Sequence, residues 1–93
     1  MKAYPIKTKD TAHRVLSDEA IVVNFKNSFF YSLNPVGTFI WERCDGRHSL
    51  AQIAEALAEE YEVTLAEAAR DCREYIDSLV EQGLLQWHDS PES

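Results

Sequence analysis

The sequence has few of the residues from which reactive sites are built. Its cysteines number two, Cys44 and Cys72, and they stand far apart. None of the local spacings CxxC, HxxxH or HxxE occurs, so no metal shell closes among neighbours in the chain. Glycine is limited to Gly37, Gly46 and Gly83, which excludes a glycine-rich phosphate loop. No apolar run reaches the ~18 residues of a membrane span. The first residues, MKAYPIKTKD, carry three lysines and no apolar block, so no secretory signal is read and the cytoplasm is the expected compartment. In that reducing setting both thiols are expected free and buried rather than bridged. Bases are scarce too. Nine Lys and Arg face sixteen Asp and Glu, a net charge of −7. Nucleic-acid binders need a basic face to neutralise phosphate, and an acidic chain is steered away from DNA and anionic lipid.

What the chain does have is concentrated between Ala20 and Gly46. Ala20 to Phe25 and Ser28 to Leu33 are rich in β-branched and aromatic residues, with Lys26-Asn27 as a turn between them. Asn34-Pro35 then changes the period. Asn34 suits an N-cap and Pro35 a first helical position, and Val36, Phe39, Ile40 and Arg43 follow at helical spacing until Asp45-Gly46. Upstream, Ala12 to Leu16 reads as a first strand turned by Ser17-Asp18-Glu19. Residues 1–11 read as a loose extended arm and 88–93 as a loose polar end.

Downstream the pattern is helical. Ser49 with Gln52 forms a capping box, and Leu50, Ile53, Ala54 and Leu57 make an inward stripe. Thr64 with Glu67 repeats the box and opens a third helix whose apolar arc includes Ala68, Cys72, Tyr75, Ile76 and Leu79. Gly83 suits a left-handed cap. Leu84-Leu85-Gln86-Trp87 reads as a short strand or a lid. The expected fold is α+β: one winged-helix-like domain over residues 1–93, with a three-stranded antiparallel meander followed by three helices.

No catalytic constellation emerges. His13, His48 and His88 are scattered and read as solvent-exposed, and Glu59, Glu60 and Glu62 read as a solvated helix end. A helix-turn-helix regulator is the alternative function. Its recognition helix would be Thr64 to Gln82, which carries Glu67, Asp71, Glu74, Asp77 and Glu81 against only Arg70 and Arg73, a poor match for a DNA groove. The strand Ser28 to Leu33 offers something else. It has no internal charge, proline or bulge to blunt an edge, so an exposed side would accept a strand from another chain.

These residues also resemble a known family. The run IVVNF followed by FFYSLNPVGTFIWERCDGRHSLAQIAEALAEEYEV and then DCREYIDSLVEQGLL, spanning Val15 to Leu85, is similar to the PqqD family. The resemblance implies a small non-catalytic adaptor without cofactor. It implies binding the leader of a ribosomally made precursor peptide as an added antiparallel strand, and presenting it to a modifying enzyme, often a radical S-adenosylmethionine protein, as in pyrroloquinoline quinone biosynthesis. The docking strand maps to Phe29, Phe30, Tyr31, Ser32 and Leu33, and the opposite wall to the third helix. On that helix the flank of Asp71, Tyr75, Ser78 and Leu79 is favoured over that of Arg70, Arg73 and Asp77, because it joins an apolar floor to a carboxylate acceptor. Along the strand, Phe30 and Ser32 share one face and Phe29, Tyr31 and Leu33 the other, and either set could line the groove. A proline at Tyr31 tests the docking strand if that amide faces the guest. In one respect the chain departs from quinone-pathway members. Leu84, not Trp, follows Gly83, which points to another peptide pathway, such as lasso or radical-modified peptides. Monomer and homodimer both remain open, since a vacant edge can pair with its own copy.

Overall fold

Two tight turns set the first layer. In the computed structural model, which describes residues 3–91, the chain runs β1 (Tyr4–Lys7), β2 (Thr11–Leu16), β3 (Glu19–Asn24), β4 (Phe29–Leu33), α1 (Pro35–Glu42), α2 (Leu50–Tyr61), α3 (Leu65–Glu81) and β5 (Leu85–His88). Ser17-Asp18 turns β2 into β3, with Leu16 opposite Glu19 and Ser17 at φ 61°. The Asn24 side chain accepts from the Lys26 N–H and that of Asn27 from the Phe29 N–H, so two Asx turns reverse β3 into β4. The result is an antiparallel sheet in the order β2-β3-β4, the expected meander. One face is apolar and closed: Ala20, Val22 and Leu33 are buried there.

The helices form where the caps dictate. Asn34 accepts from the Gly37 N–H at 2.8 Å with Pro35 opening α1. Ser49 and Gln52 make the full reciprocal capping box of α2. At α3, Thr64 accepts from the Glu67 N–H. Their inward stripes, Ile40 and Trp41, then Ile53, Ala54 and Leu57, then Ala68, Cys72, Ile76 and Leu79, join the sheet's inner face in one core. Gly83 follows α3 at φ 80°, and its N–H is bonded to the Val80 carbonyl, which turns the chain back into β5.

The termini depart from the sequence reading. Residues 1–11 do not run as a loose arm, because Tyr4–Lys7 pairs antiparallel with Leu85–His88, Pro5 opposite Trp87. The physical reason is that β1 supplies the partner that the apolar Leu84–Trp87 segment needs. Pro5 is buried, and its carbonyl takes the Gly46 N–H while the Ala3 carbonyl takes that of Leu50. His88 therefore lies in a strand instead of a loose end, while residues 1–2 and 92–93 fall outside those described. His13 and His48 are exposed, and His48 pairs with Asp45 at 3.0 Å. Burial pushes the Asp45 carboxyl up. The bonds it accepts from the Arg47 and His48 N–H groups and the His48 ring outweigh that and hold it below the ordinary range.

Both cysteines are free and buried. Burial raises the Cys44 thiol to about 12 and the Cys72 thiol to about 11. At pH 8 both stay protonated, and a thiolate is the reactive form. Native protein is accordingly expected to react with a thiol reagent at least ten times more slowly than the urea-unfolded chain, whose thiols return to about 8.5. A time course with a chromogenic disulfide checks this.

Candidate functional site

The direction of each amide in the sheet follows from two bonds. The Phe25 N–H donates to the Asp10 carbonyl at 2.8 Å, and residues 25 and 10 are opposite in the β2–β3 register. Amides alternate sides along a strand. Ile21 and Val23 therefore turn theirs to β2, while Ala20, Val22 and Asn24 turn theirs to β4. The partners of those three are Leu33, Tyr31 and Phe29. Phe30 and Ser32 are left with N–H and C=O pointing away from the sheet. Among the described residues no strand pairs with that side of β4.

This corrects one expectation. The Tyr31 amide faces β3, so a proline there breaks the sheet's own ladder rather than reporting on a guest strand. The vacant donors belong to its two neighbours.

Side chains divide the other way. Phe30 lies opposite Val23 and Ser32 opposite Ile21, all on the outer face, with Phe30 73% exposed. Tyr31 and Leu33 lie opposite the buried Val22 and Ala20, on the inner face toward the helices. Phe29 shares that side at the hairpin end and is 61% exposed. Phe29, Tyr31 and Leu33 thus share the side of the sheet that meets α3.

Two contacts fix how α3 lies beside β4. The Tyr31 hydroxyl donates to Gln82 Oε1 at 3.2 Å, and Asn24 Nδ2 donates to the Gln82 carbonyl at 3.0 Å. About two turns earlier on α3, Tyr75 lies against the start of α1. A Cβ on Gly37 would come within 2.6 Å of Tyr75 Cζ, so glycine there makes room for the phenol. Burial pushes the Tyr75 hydroxyl above its usual value, with Cys44 adding to the shift. Residues 71, 75, 78 and 82 fall on one line of the helix, and that line runs from Gln82, beside β4, toward Tyr75, beside α1. Asp71 is exposed with Arg70 Nε 3.6 Å away, Ser78 is exposed, and Leu79 is a core residue beneath them. The rejected flank faces elsewhere. Asp77 accepts from the Trp87 indole N–H at 3.0 Å, and the Arg73 guanidinium stacks over the Trp87 ring.

The structure thus brings Tyr31 to Gln82, at the end of the line that holds Tyr75 and Ser78, and places Leu33 and Leu79 in the core. Gln82 is the residue that sequence reasoning missed. It was read only as a helix end, although its spacing from Asp71, Tyr75 and Ser78 puts it on their line.

A family model described as coenzyme PQQ synthesis protein D, PqqD, matches residues 19–85, most of the chain. The chain belongs to the PqqD family. That span holds β3, β4 and all three helices, the elements that frame the β4 edge. Two solved structures share the fold. A lasso peptide synthetase B1 complexed with its leader peptide superposes with a TM-score of 0.82 at 25% identity, covering 90% of this chain and 99% of that one. TbiB1 in complex with the TbiA(beta) leader peptide gives 0.81 at 23% identity, covering 87% and 94%. No curated protein sequence matches the chain. Among the described residues no helix is long and apolar enough to cross a membrane.

Proposed function

We propose that this PqqD-family chain is a non-catalytic adaptor that binds the leader segment of a ribosomally synthesised precursor peptide and presents it to a modifying enzyme, within the cytoplasm. One observation carries the reading. The backbone groups of Phe30 and Ser32 point out of the sheet beside a helix, where an added strand would complete their hydrogen bonds. Phe29, Tyr31 and Leu33 would then share a side with the inward residues of the guest. Asp71, Tyr75, Ser78 and Gln82 would form the far wall, with Leu79 as its floor. The lasso synthetase and TbiB1 structures, both solved with leader peptides, support a leader-binding role. A radical S-adenosylmethionine enzyme is the partner class that the family suggests. With Leu84 after Gly83, a pathway other than the quinone one is favoured. The adaptor works as a monomer when loaded, because a second copy would compete for the same edge.

The DNA-binding alternative gains nothing from the structure. Arg73 is occupied by Trp87 and Arg70 lies beside Asp71, so α3 offers phosphate little free positive charge. Fluorescence anisotropy with a labelled leader peptide tests the proposal. Saturable, low-micromolar binding is expected, and a labelled DNA duplex should show none. Salt-sensitive duplex binding without peptide binding would reverse the assignment.

A further inference from the structure

The outer face of the sheet breaks the usual rule for an antiparallel sheet with one wet side. Such a face alternates polar residues outward. Here Leu16, Ile21, Val23 and Phe30 point outward together, with Leu16 52% and Ile21 42% exposed. Ile21, Val23 and Phe30 line a shallow depression of about 230 Å³ whose walls also include Ala12, His13 and Arg14. The cluster is an apolar patch with one cation, Arg14, in it and one acid, Glu19, at its Leu16 end.

Charge separates this face from the rest of the molecule. The strands and turns of this sheet, residues 11–33, carry two bases, Arg14 and Lys26, against two acids, Asp18 and Glu19, whereas residues 34–93 carry four bases against thirteen acids. The sheet is thus the non-acidic side of an acidic protein. The patch is also continuous with the vacant edge. Phe30 gives its backbone to the edge and its side chain to the outer face, so a strand added beside β4 becomes the fourth strand of this same surface, with alternate side chains on it.

Resting on the adaptor reading above, we infer that the outer face of β2-β3-β4 is where the peptide-modifying enzyme docks, through an apolar surface carrying carboxylates that meet Arg14. A partner seated there touches the adaptor and the outward side chains of the bound leader together. Docking is therefore favoured by a loaded adaptor, and the enzyme is held beside the strand that leads to its substrate. A second copy of this chain is the weaker occupant. The three strands alone present a footprint of roughly 250 Å², far below the about 800 Å² per partner of a stable interface, and the enzyme makes up area on the bound leader, which a second copy pairing with the empty adaptor does not.

The test separates this inference from the reading it rests on. Ile21→Glu and Arg14→Glu variants are purified with wild type, and thermal melts verify that each folds. Leader affinity is read by anisotropy. Adaptor-stimulated modification of the full precursor by its modifying enzyme is read by mass spectrometry. Expected are leader affinities within about twofold of wild type for both variants, with stimulation of modification lowered at least tenfold. Full stimulation by either variant overturns the docking face. So does a concentration-dependent dimer of wild type, seen by sedimentation and abolished by Ile21→Glu, which would give the face to a second copy. Failure of wild type to bind the leader sinks the adaptor reading instead, and the inference with it.

Discussion

Phe30→Pro and Ser32→Pro are each expected to weaken leader binding by about 1–3 kcal/mol, roughly five- to 150-fold, while the protein still folds. Proline deletes a backbone donor, and at these two positions the donor points out of the sheet. Edge strands tolerate proline when its missing N–H faces outward. The guest carbonyl that this N–H would have served is left without a partner at a closed contact, which is the costly case. Tyr31→Pro behaves oppositely. Its N–H serves the β3 ladder opposite Val22, so the variant loses stability first, by about 3 kcal/mol or more on the scale of a broken ladder or helix bond. Anisotropy titrations paired with urea melts separate the two outcomes. Equal binding loss with equal unfolding at all three positions would show that amide direction has no part in docking.

Trp41→Ala is expected to cost about 3–5 kcal/mol, a large part of the 5–15 kcal/mol that holds a domain of this size. Trp41 is fully buried in α1. The His13 ring meets it edge-on with centroids 5.6 Å apart, and the Lys7 ammonium lies 5.0 Å from its ring centre. Residues from β1, β2 and α1 thus converge on one indole. Burial lowers the Lys7 pKa, and burial together with the nearby Lys7 charge lowers that of His13. The Trp41 indole N–H, however, has no hydrogen-bond partner among the described residues. Trp41→Phe keeps most of the packing and removes that unpaired donor, so its cost should be clearly smaller than that of Ala. Urea unfolding followed by circular dichroism ranks the two. A Phe variant as unstable as Ala would mean that the indole N–H has a partner such as an ordered water.

The elements set by local chemistry were legible in the sequence. Asn34-Pro35, Ser49 with Gln52, and Thr64 each begin a helix because a side-chain oxygen meets an otherwise orphaned N–H, and that needs only neighbours in the chain. The meander was legible for the same reason, through its alternating runs and turn residues. Pairing between residues ~80 positions apart was not. Nothing in Tyr4-Pro5-Ile6-Lys7 announces that Leu85–His88 will lie beside it, and a polar, proline-containing segment reads as loose until its partner is known. At the candidate site, the identity of the strand could be read from its unblunted sequence. The sides to which its amides turn could not, because they are set by how β2 and β3 pair, not by β4 itself. Tyr75 was assigned to the wall by spacing, but the space that Gly37 clears for it is a contact between helices that spacing does not reveal.

Amide hydrogen exchange, resolved by residue and followed with and without the leader peptide, tests the central claim most directly. In the free protein the Phe30 and Ser32 amides should exchange fast while Tyr31 and Leu33 are protected by β3, and the peptide should slow Phe30 and Ser32 selectively. Phe30 and Ser32 already protected in the free protein, or unchanged at saturating peptide, would contradict the account.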